Sequence, residues 1–413
     1  MNRNRSKGLM WSLDFFILVT LILFLWQIPL AQTQTNLSAN IEKFVTPYLQ
    51  MNDFSGSILI SKNGKIVFEK GFGFSDLQKK TQNTPDTKFR IGSLNKQLTA
   101  AAILLLEEKG KLKTDDSVSK FFPDFPNGNQ IKLQHLLTHR SGLPKYVPYK
   151  NDNKEPTSAE LLKILGSLQP EAKPGEKYNY SNAGFVLLAL TVEKVSGQSF
   201  PKFLAENVFK PLEMKNSGVG INKSLAKGYV TDLGTDLAPA PNLDVFNYEV
   251  YSTVEDLNKW QIGLYGGKLL SANSLTKMTT DYGDHYGYGL SVGKTARRYF
   301  GHDGVISGYN GFVTYFPDDK LSIVFFGNIE SGVLGILQTN LPAIAFGNEP
   351  QAPKKHEFAA QVKTDNFQDY VGRYEVFPGF NLDVKLEKGK LSLRGPMGAF
   401  MALTPLSENE FFY

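Results

Sequence analysis

A chain of 413 residues, 41% hydrophobic and 21% charged, is long enough for one large domain or two unequal ones and can bury a sizeable core. Its formal charge of +5, from 45 Lys and Arg against 40 Asp and Glu, is too weak and too evenly spread to argue for nucleic-acid binding. The absence of cysteine excludes disulfides, thiolate catalysis and cysteine-ligated zinc.

Arg3, Arg5 and Lys7 precede an apolar run from Phe15 to Leu25, continued by Trp26, Ile28 and Leu30, and a polar stretch begins at Gln32. This basic-then-apolar order reads as a secretory signal over residues 1–31, ending at Ala31, and predicts an exported protein, periplasmic or secreted. The alternative is an uncleaved membrane anchor, but the run is short of the roughly 20 apolar residues that a spanning helix needs.

Residues 38–50 read as an amphipathic helix, with Ile41, Phe44, Val45, Tyr48 and Leu49 on one face. Ser57–Ser61 and Lys65–Lys70 flank Asn63-Gly64, the pair a tight hairpin turn requires. A Leu- and Ala-rich helix follows over 94–109, closed by Gly110. Thr157 and Glu160 form a capping box ahead of Leu161-Leu162. Further helices are expected over Ala183–Val195 (ended by Ser196-Gly197), Phe200–Phe209 and Val254–Tyr265. Strands return at Arg298–Val305, Gly311–Phe316 and Leu321–Phe326, the last two separated by Pro317-Asp318-Asp319. A short helix is expected over Val333–Ala345.

Strands at both ends with helices between predict an α/β (α+β) fold. A single antiparallel sheet, assembled from distant parts of the chain, is flanked by helices, and an all-helical lobe stands beside it. This domain spans 32–347, and the polar stretch 348–365 reads as a linker. Short strands at Tyr370–Tyr374, Leu382–Leu386 and Leu391–Leu393 make residues 366–413 a small β module, expected to be either an incomplete barrel or a truncated one.

Three short motifs carry chemistry. In Ser93-Leu94-Asn95-Lys96, helical spacing brings Lys96 onto the face of Ser93, one turn away. A serine hydroxyl needs a base to become a nucleophile. A lysine can serve if its pKa falls from about 10.4 toward 7, which costs roughly 4–5 kcal/mol of differential solvation. Tyr180-Ser181-Asn182 sits at a helix start, offering a phenol that can pass protons and an amide that can hold a carbonyl. His302-Asp303-Gly304 lies on the expected strand before Val305, where glycine lets a substrate backbone come close.

In order and rough spacing these motifs resemble those of the serine β-lactamase and penicillin-binding-protein superfamily, whose signature is S-x-x-K. Phe89–Ser93, His135–Pro144, Pro174–Lys177 and Ser252–Leu257 are similar to its supporting segments, and the resemblance covers about residues 38–346. It looks closest to the branch of class C β-lactamases, D-alanyl-D-alanine carboxypeptidases and esterases.

The resemblance implies that Ser93 forms an acyl-enzyme, that Lys96 and Tyr180 share its proton transfers, and that Asn182 holds the acyl side chain. His302 and Gly304 then belong to the substrate site, and the backbone N–H groups of Ser93 and Val305 form an oxyanion hole. Such a protein is a serine hydrolase acting on an ester, a D-amino-acid peptide or a related amide, peptidoglycan-derived material included, without metal or organic cofactor. A β-lactamase, or a non-catalytic sensor of cell-wall fragments or β-lactams on the same fold, is the alternative. Two departures stand out. His302-Asp303-Gly304 replaces the Lys-Thr-Gly of lactamases, and Tyr248, Glu249, Val250 and Tyr251 stand where relatives carry small residues, so they either narrow the cleft or fill a core.

Other candidates carry less. His135 and His139 have the i, i+4 spacing of a zinc helix, but Leu136 replaces the needed glutamate, so they are expected to anchor a loop by hydrogen bonds. Gly71-Phe72-Gly73 reads as turn glycines, Glu255 as part of a helix start, and His285 and His356 as surface residues.

Overall fold

The computed structural model describes residues 36–145, 147, 156–220, 222–232, 236–240, 248–294, 296–349, 366–377, 380–387, 389–394, 401–405 and 411–412. The signal-like segment 1–31, most of the expected linker and His356 lie outside them.

Helix α1 covers residues 36–50 and buries Ile41, Phe44, Val45 and Tyr48, the stripe its 3.6-residue period sets out. Strands β1 (Gly56–Lys62) and β2 (Lys65–Phe72) form the hairpin, with Asn63 at φ 53° and Gly64 at φ 75°. Next come α2 (Asn95–Glu108), α3 (Ser158–Ser167), α4 (Asn182–Ser196) and α5 (Val254–Tyr265). The chain then returns to the sheet with β3 (Ser291–Lys294), β4 (Arg298–Ile306), β5 (Tyr309–Phe316) and β6 (Leu321–Gly327), before α6 (Val333–Ala345).

The central sheet has six strands in the order β3-β4-β5-β6-β1-β2, and its neighbours are antiparallel throughout. Both faces are covered, which is why β6 is buried at all seven positions and reads as a continuous apolar run. The pleat divides its residues between two cores. Ile58, Ile60, Phe312, Ile323 and Phe325 pack with α1 and α6, whereas Leu59, Val313, Val324 and Phe326 join the larger core of the helical lobe. Helix α5 lies on β6 and β1. It crosses the sheet with polar ties, Ser61 Oγ donating to Asn258 Oδ1 at 2.6 Å and Ser322 Oγ to Gln261 Oε1.

Helix α2 is the axis of the helical lobe. Every residue from Lys96 to Leu106 is buried, and α2 packs against α4. The expected capping box is present, with Thr157 Oγ1 accepting from the Glu160 amide and Glu160 Oε2 accepting from the Thr157 amide. Gly197 ends α4 at φ 71°. The helix expected over Phe200–Phe209 is α-helical only to Leu204 and continues as a π turn, so that its wider spiral keeps Val208 and Phe209 in the core.

Two small features deliver the site. Phe89–Arg90 pairs with Val250–Ser252, which also pairs with Gly218–Val219, clamping the segment that leads to Ser93. The turn that follows lies against β4. A Cβ built on Gly304 would sit 2.2 Å from the Ile91 carbonyl oxygen, so only glycine permits this approach. Further on, residues 372–394 and 401–402 carry a four-stranded antiparallel sheet.

Gly304→Ala must therefore push the Ser93 turn off β4. The expected cost is about 1–3 kcal/mol, the range for overpacking. A urea midpoint equal to that of the wild type would contradict the contact.

Candidate active site

Ser93 does not open an α-helix directly. It sits in a 3-10 turn, Gly92–Leu94, and α2 begins at Asn95. The turn is held at both ends, by the Ile91 amide donating to Val250 O at 3.1 Å and by Asn95 Nδ2 donating to Tyr248 O at 2.7 Å. Ser93 is half-buried, while Lys96, on the first turn of α2, is 6% exposed.

The second motif reaches Ser93 from the start of α4. Ser181 caps that helix by accepting from the Gly184 amide at 3.0 Å, and its hydroxyl donates to Pro144 O at 2.9 Å. The tripeptide is thereby pinned to the loop at 139–145, with Asn182 N donating to Lys145 O. On either side of this capping serine, Tyr180 and Asn182 reach the same place. Tyr180 donates its phenolic hydrogen to Ser93 Oγ at 2.7 Å, and Lys96 Nζ lies 3.0 Å from Ser93 Oγ and 2.8 Å from Asn182 Oδ1. The four residues expected from the sequence form one hydrogen-bonded cluster.

The electrostatics of the cluster follow from burial. Lys96 is lowered to about 7, because desolvation penalises its ammonium; Glu249 and Asp303 oppose the shift and Lys145 adds to it. Lys96 makes no ion pair among the described residues and lies 4.8 Å from the Tyr180 ring centre. Burial pushes Tyr180 the other way, far above the ordinary phenol value, although its bond to Ser93 opposes this. Near neutral pH the site thus holds a protonated phenol beside an amine that is about half neutral.

That combination has a definite chemistry. The Tyr180 O–H occupies one lone pair of Ser93 Oγ, which leaves the serine hydrogen free to point at a neutral Lys96 amine. The same amine keeps an N–H for Asn182 Oδ1. Deprotonation of Ser93 by Lys96 needs no rearrangement of heavy atoms.

His302 is buried and lies a layer away. Its Nε2 is 2.9 Å from Tyr286 Oη, and Tyr286 Oη is 3.1 Å from His139 Nε2. The Ser181 amide donates to His139 Nδ1 at 3.0 Å, so His139 carries its proton on Nε2 and donates to Tyr286. Tyr286 in turn donates to His302 Nε2, and His302 donates from Nδ1 to Asp303 O. Both rings are satisfied only when neutral. Burial holds His302 at about 4, with Asp303 opposing and Lys96 assisting, and holds His139 well below the imidazole range. His139, at φ 56°, anchors its loop as expected, and His135 Nδ1 accepts from the Lys132 amide.

Two cavities flank the cluster. One, of about 270 Å³, is lined by Ser93, Lys96, Asn182, Glu249 and Val305 among others. The second, of about 350 Å³, lies between Tyr180 and Asp303 and does not include Ser93. Val305 is 51% exposed and Asp303 is exposed, whereas Gly304 is buried against the Ser93 turn. The segment from Tyr248 to Tyr251 does both things expected of it. Tyr248 stacks edge-on with Phe200 and Val250 is fully buried, while Tyr248 and Glu249 narrow the first cavity. Tyr286 was not legible in the sequence, because no motif marks a tyrosine that only the fold places between two histidines. His285 is exposed, with Nδ1 3.5 Å from Asp281.

The Beta-lactamase family model matches residues 41–337. A protein of Bacillus subtilis (strain 168), provisionally named penicillin-binding protein PbpX, is 34% identical over 296 residues, covering 70% of this chain and 74% of its own. Teichoic acid D-alanine hydrolase of Staphylococcus aureus is 30% identical over 301 residues, with the same 70% and 74% coverage. Among solved structures, the octameric penicillin-binding protein homologue from Pyrococcus abyssi is 29% identical and superposes with a TM-score of 0.67, over 89% of this chain and 90% of that one.

The hydrogen-bond directions generate a spectroscopic prediction. By 15N NMR, His302 should appear as the Nδ1–H tautomer and His139 as the Nε2–H tautomer, with His302 staying neutral until the pH approaches about 4. Since the folded value lies below the unfolded one of about 6.5, this group's stabilising contribution is complete above pH 6.5 and is lost as the pH falls through about 4. Tyr286→Phe should cost about 1–3 kcal/mol for each ring nitrogen left unpaired. An imidazolium signal from His302 at pH 6 would refute the chain of donors.

Proposed function

Because the chain belongs to the beta-lactamase family, we propose that it is a serine hydrolase that forms an acyl-enzyme at Ser93, on an ester or D-amino-acid amide of the cell envelope. The observation that carries this reading is the Ser93 hydroxyl held between the Lys96 amine at 3.0 Å and the Tyr180 phenol at 2.7 Å. Lys96 takes the serine proton as Ser93 attacks the carbonyl. The proton then passes to the leaving group, with Tyr180 beside Ser93 Oγ to relay it. Water enters where the leaving group was and releases the acyl group by the reverse transfers.

Val305 lines the first cavity together with Ser93, and its amide with that of Ser93 is assigned to the oxyanion, worth about 3–4 kcal/mol per donor. Asn182 accepts from Lys96 through Oδ1, and its amide nitrogen is assigned to the acyl side chain. The hydrolytic unit is assigned to residues 32–347 and the separate β module to 366–413. The relative that is a teichoic acid D-alanine hydrolase supports a cell-envelope substrate, and the basic and apolar residues from Arg3 to Leu30 support export.

The third motif supports esters or D-amino-acid amides over β-lactams. A β-lactam presents a carboxylate beside the scissile ring. His302 here is uncharged at neutral pH and both its nitrogens are engaged, while Asp303 adds a negative charge to the cleft. Loss of one charge-assisted hydrogen bond costs roughly 1.5–3 kcal/mol, about 10- to 150-fold.

Intact-mass spectrometry with a fluorophosphonate should give one adduct, on Ser93, that is lost in Ser93→Ala. The kcat/KM of the wild type should rise with pH through a midpoint of about 7, the Lys96 value. An adduct that survives Ser93→Ala, or a flat profile from pH 5 to 9, sinks the mechanism.

For the substrate class, kcat/KM should be higher for a p-nitrophenyl ester than for nitrocefin, and His302→Lys combined with Asp303→Thr should shift the ratio toward nitrocefin. Wild-type nitrocefin hydrolysis near 10⁶ M⁻¹s⁻¹, well within the range of roughly 10⁴–10⁸ for competent enzymes, would show that the substrate assignment is wrong even if the mechanism stands.

A further inference from the structure

Glu249 is a carboxylate placed in the wall of the cavity that holds Ser93, and only one of its two oxygens is used by the protein. Its neighbours explain its direction. Val250 pairs with Val219 and is fully buried, Tyr248 packs on Phe200, and Glu249 between them lines the cavity that holds Ser93. The Gly92 amide hydrogen-bonds the carboxylate, yet Oε1 is buried and has no hydrogen-bond partner. An unpaired buried carboxylate oxygen is costly.

The charges around it do not supply the missing partner. Burial raises Glu249, and Arg90, Gly92 and Lys96 pull it down without satisfying Oε1. Lys96 itself, at about 7, is only partly charged at neutral pH and is engaged with Ser93 and Asn182. Asp303 is exposed and lines the neighbouring cavity, not this one. The unpartnered Oε1 of Glu249 therefore remains as an acceptor in the wall beside Ser93.

The acyl group is bonded to Ser93, and Ser93 lines this cavity and not the one beside Asp303. An amine on the α-carbon of that acyl group is two bonds from the carbonyl carbon and so falls within the same cavity of about 270 Å³. We infer that Glu249 is a specificity-determining residue that binds the free ammonium of an α-aminoacyl substrate, so that the preferred substrates are esters or amides of an amino acid with an unblocked amine. This rests on Ser93 being the acylated residue, and it adds which acyl groups are accepted.

The test compares D-alanine methyl ester with N-acetyl-D-alanine methyl ester by pH-stat at pH 6.5, where the free amine is charged, with p-nitrophenyl acetate as a neutral reference. Wild type should favour the free amine by at least tenfold in kcat/KM. In Glu249→Gln that ratio should fall toward one, and in Glu249→Asp it should be partly kept. Because each ratio is taken within one preparation, it does not depend on the fraction folded. A group that only tuned Lys96 would change both esters together, and an unchanged ratio in Glu249→Gln would overturn the inference. So would a wild type that cleaves p-nitrophenyl acetate but shows no preference between the two alanine esters. A wild type that cleaves none of the three would instead overturn the serine-hydrolase reading on which the inference rests.

Discussion

The structure turns on one lysine ammonium taken out of water without an ion-pair partner among the described residues. Lys96 lies in the first turn of α2, and the residues after it to Leu106 are enclosed by the lobe and the sheet. A cation in that position is disfavoured, so the amine titrates near 7 instead of above 10. The same burial keeps Tyr180 a phenol. One packing decision thus sets the protonation states of both partners of Ser93, and moves them apart in the way that separates a base from a donor.

The frame around this cluster is built from segments far apart in the chain. Hairpin β1–β2 enters the sheet beside β6, and the pleat of the middle strands serves two cores at once. Ser93, Tyr180 and Val305 arrive from a turn, a helix start and a strand. Each is fixed by its own local device: the clamp of Phe89–Arg90 on Val250–Ser252, the Ser181 cap, and the close approach that Gly304 permits. The Ser93 turn and β4 also hold each other, because Gly304 lies against Ile91 and Gly92 against Val305.

Behind Tyr180 the relay Ser181–His139–Tyr286–His302 fixes ring orientations without carrying charge. It turns the third motif from a cationic feature into a neutral one. Asp303 is exposed in one of the two cavities beside the cluster and Glu249 lines the other.

The amino-acid sequence by itself determined the local elements and the identity of the central cluster. Asn63-Gly64, the Thr157–Glu160 box, Gly197 and the alternating or helical apolar periods are short-range signals, and each element forms where its signal stands. Ser93, Lys96, Tyr180 and Asn182 were legible because two motifs place them at fixed offsets on helix starts. Only the tertiary structure decided what surrounds them. The 3-10 turn at Ser93 and the π turn after Leu204 are responses to packing that no local preference announces. Tyr286 links two histidines 163 positions apart in the chain, and Glu249 faces Ser93 because its neighbours on either side are drawn into the core. Direction and burial of this kind depend on contacts between distant residues. A hydrogen bond or a lost hydration shell acts over a few ångströms of space, and distance along the sequence does not encode it.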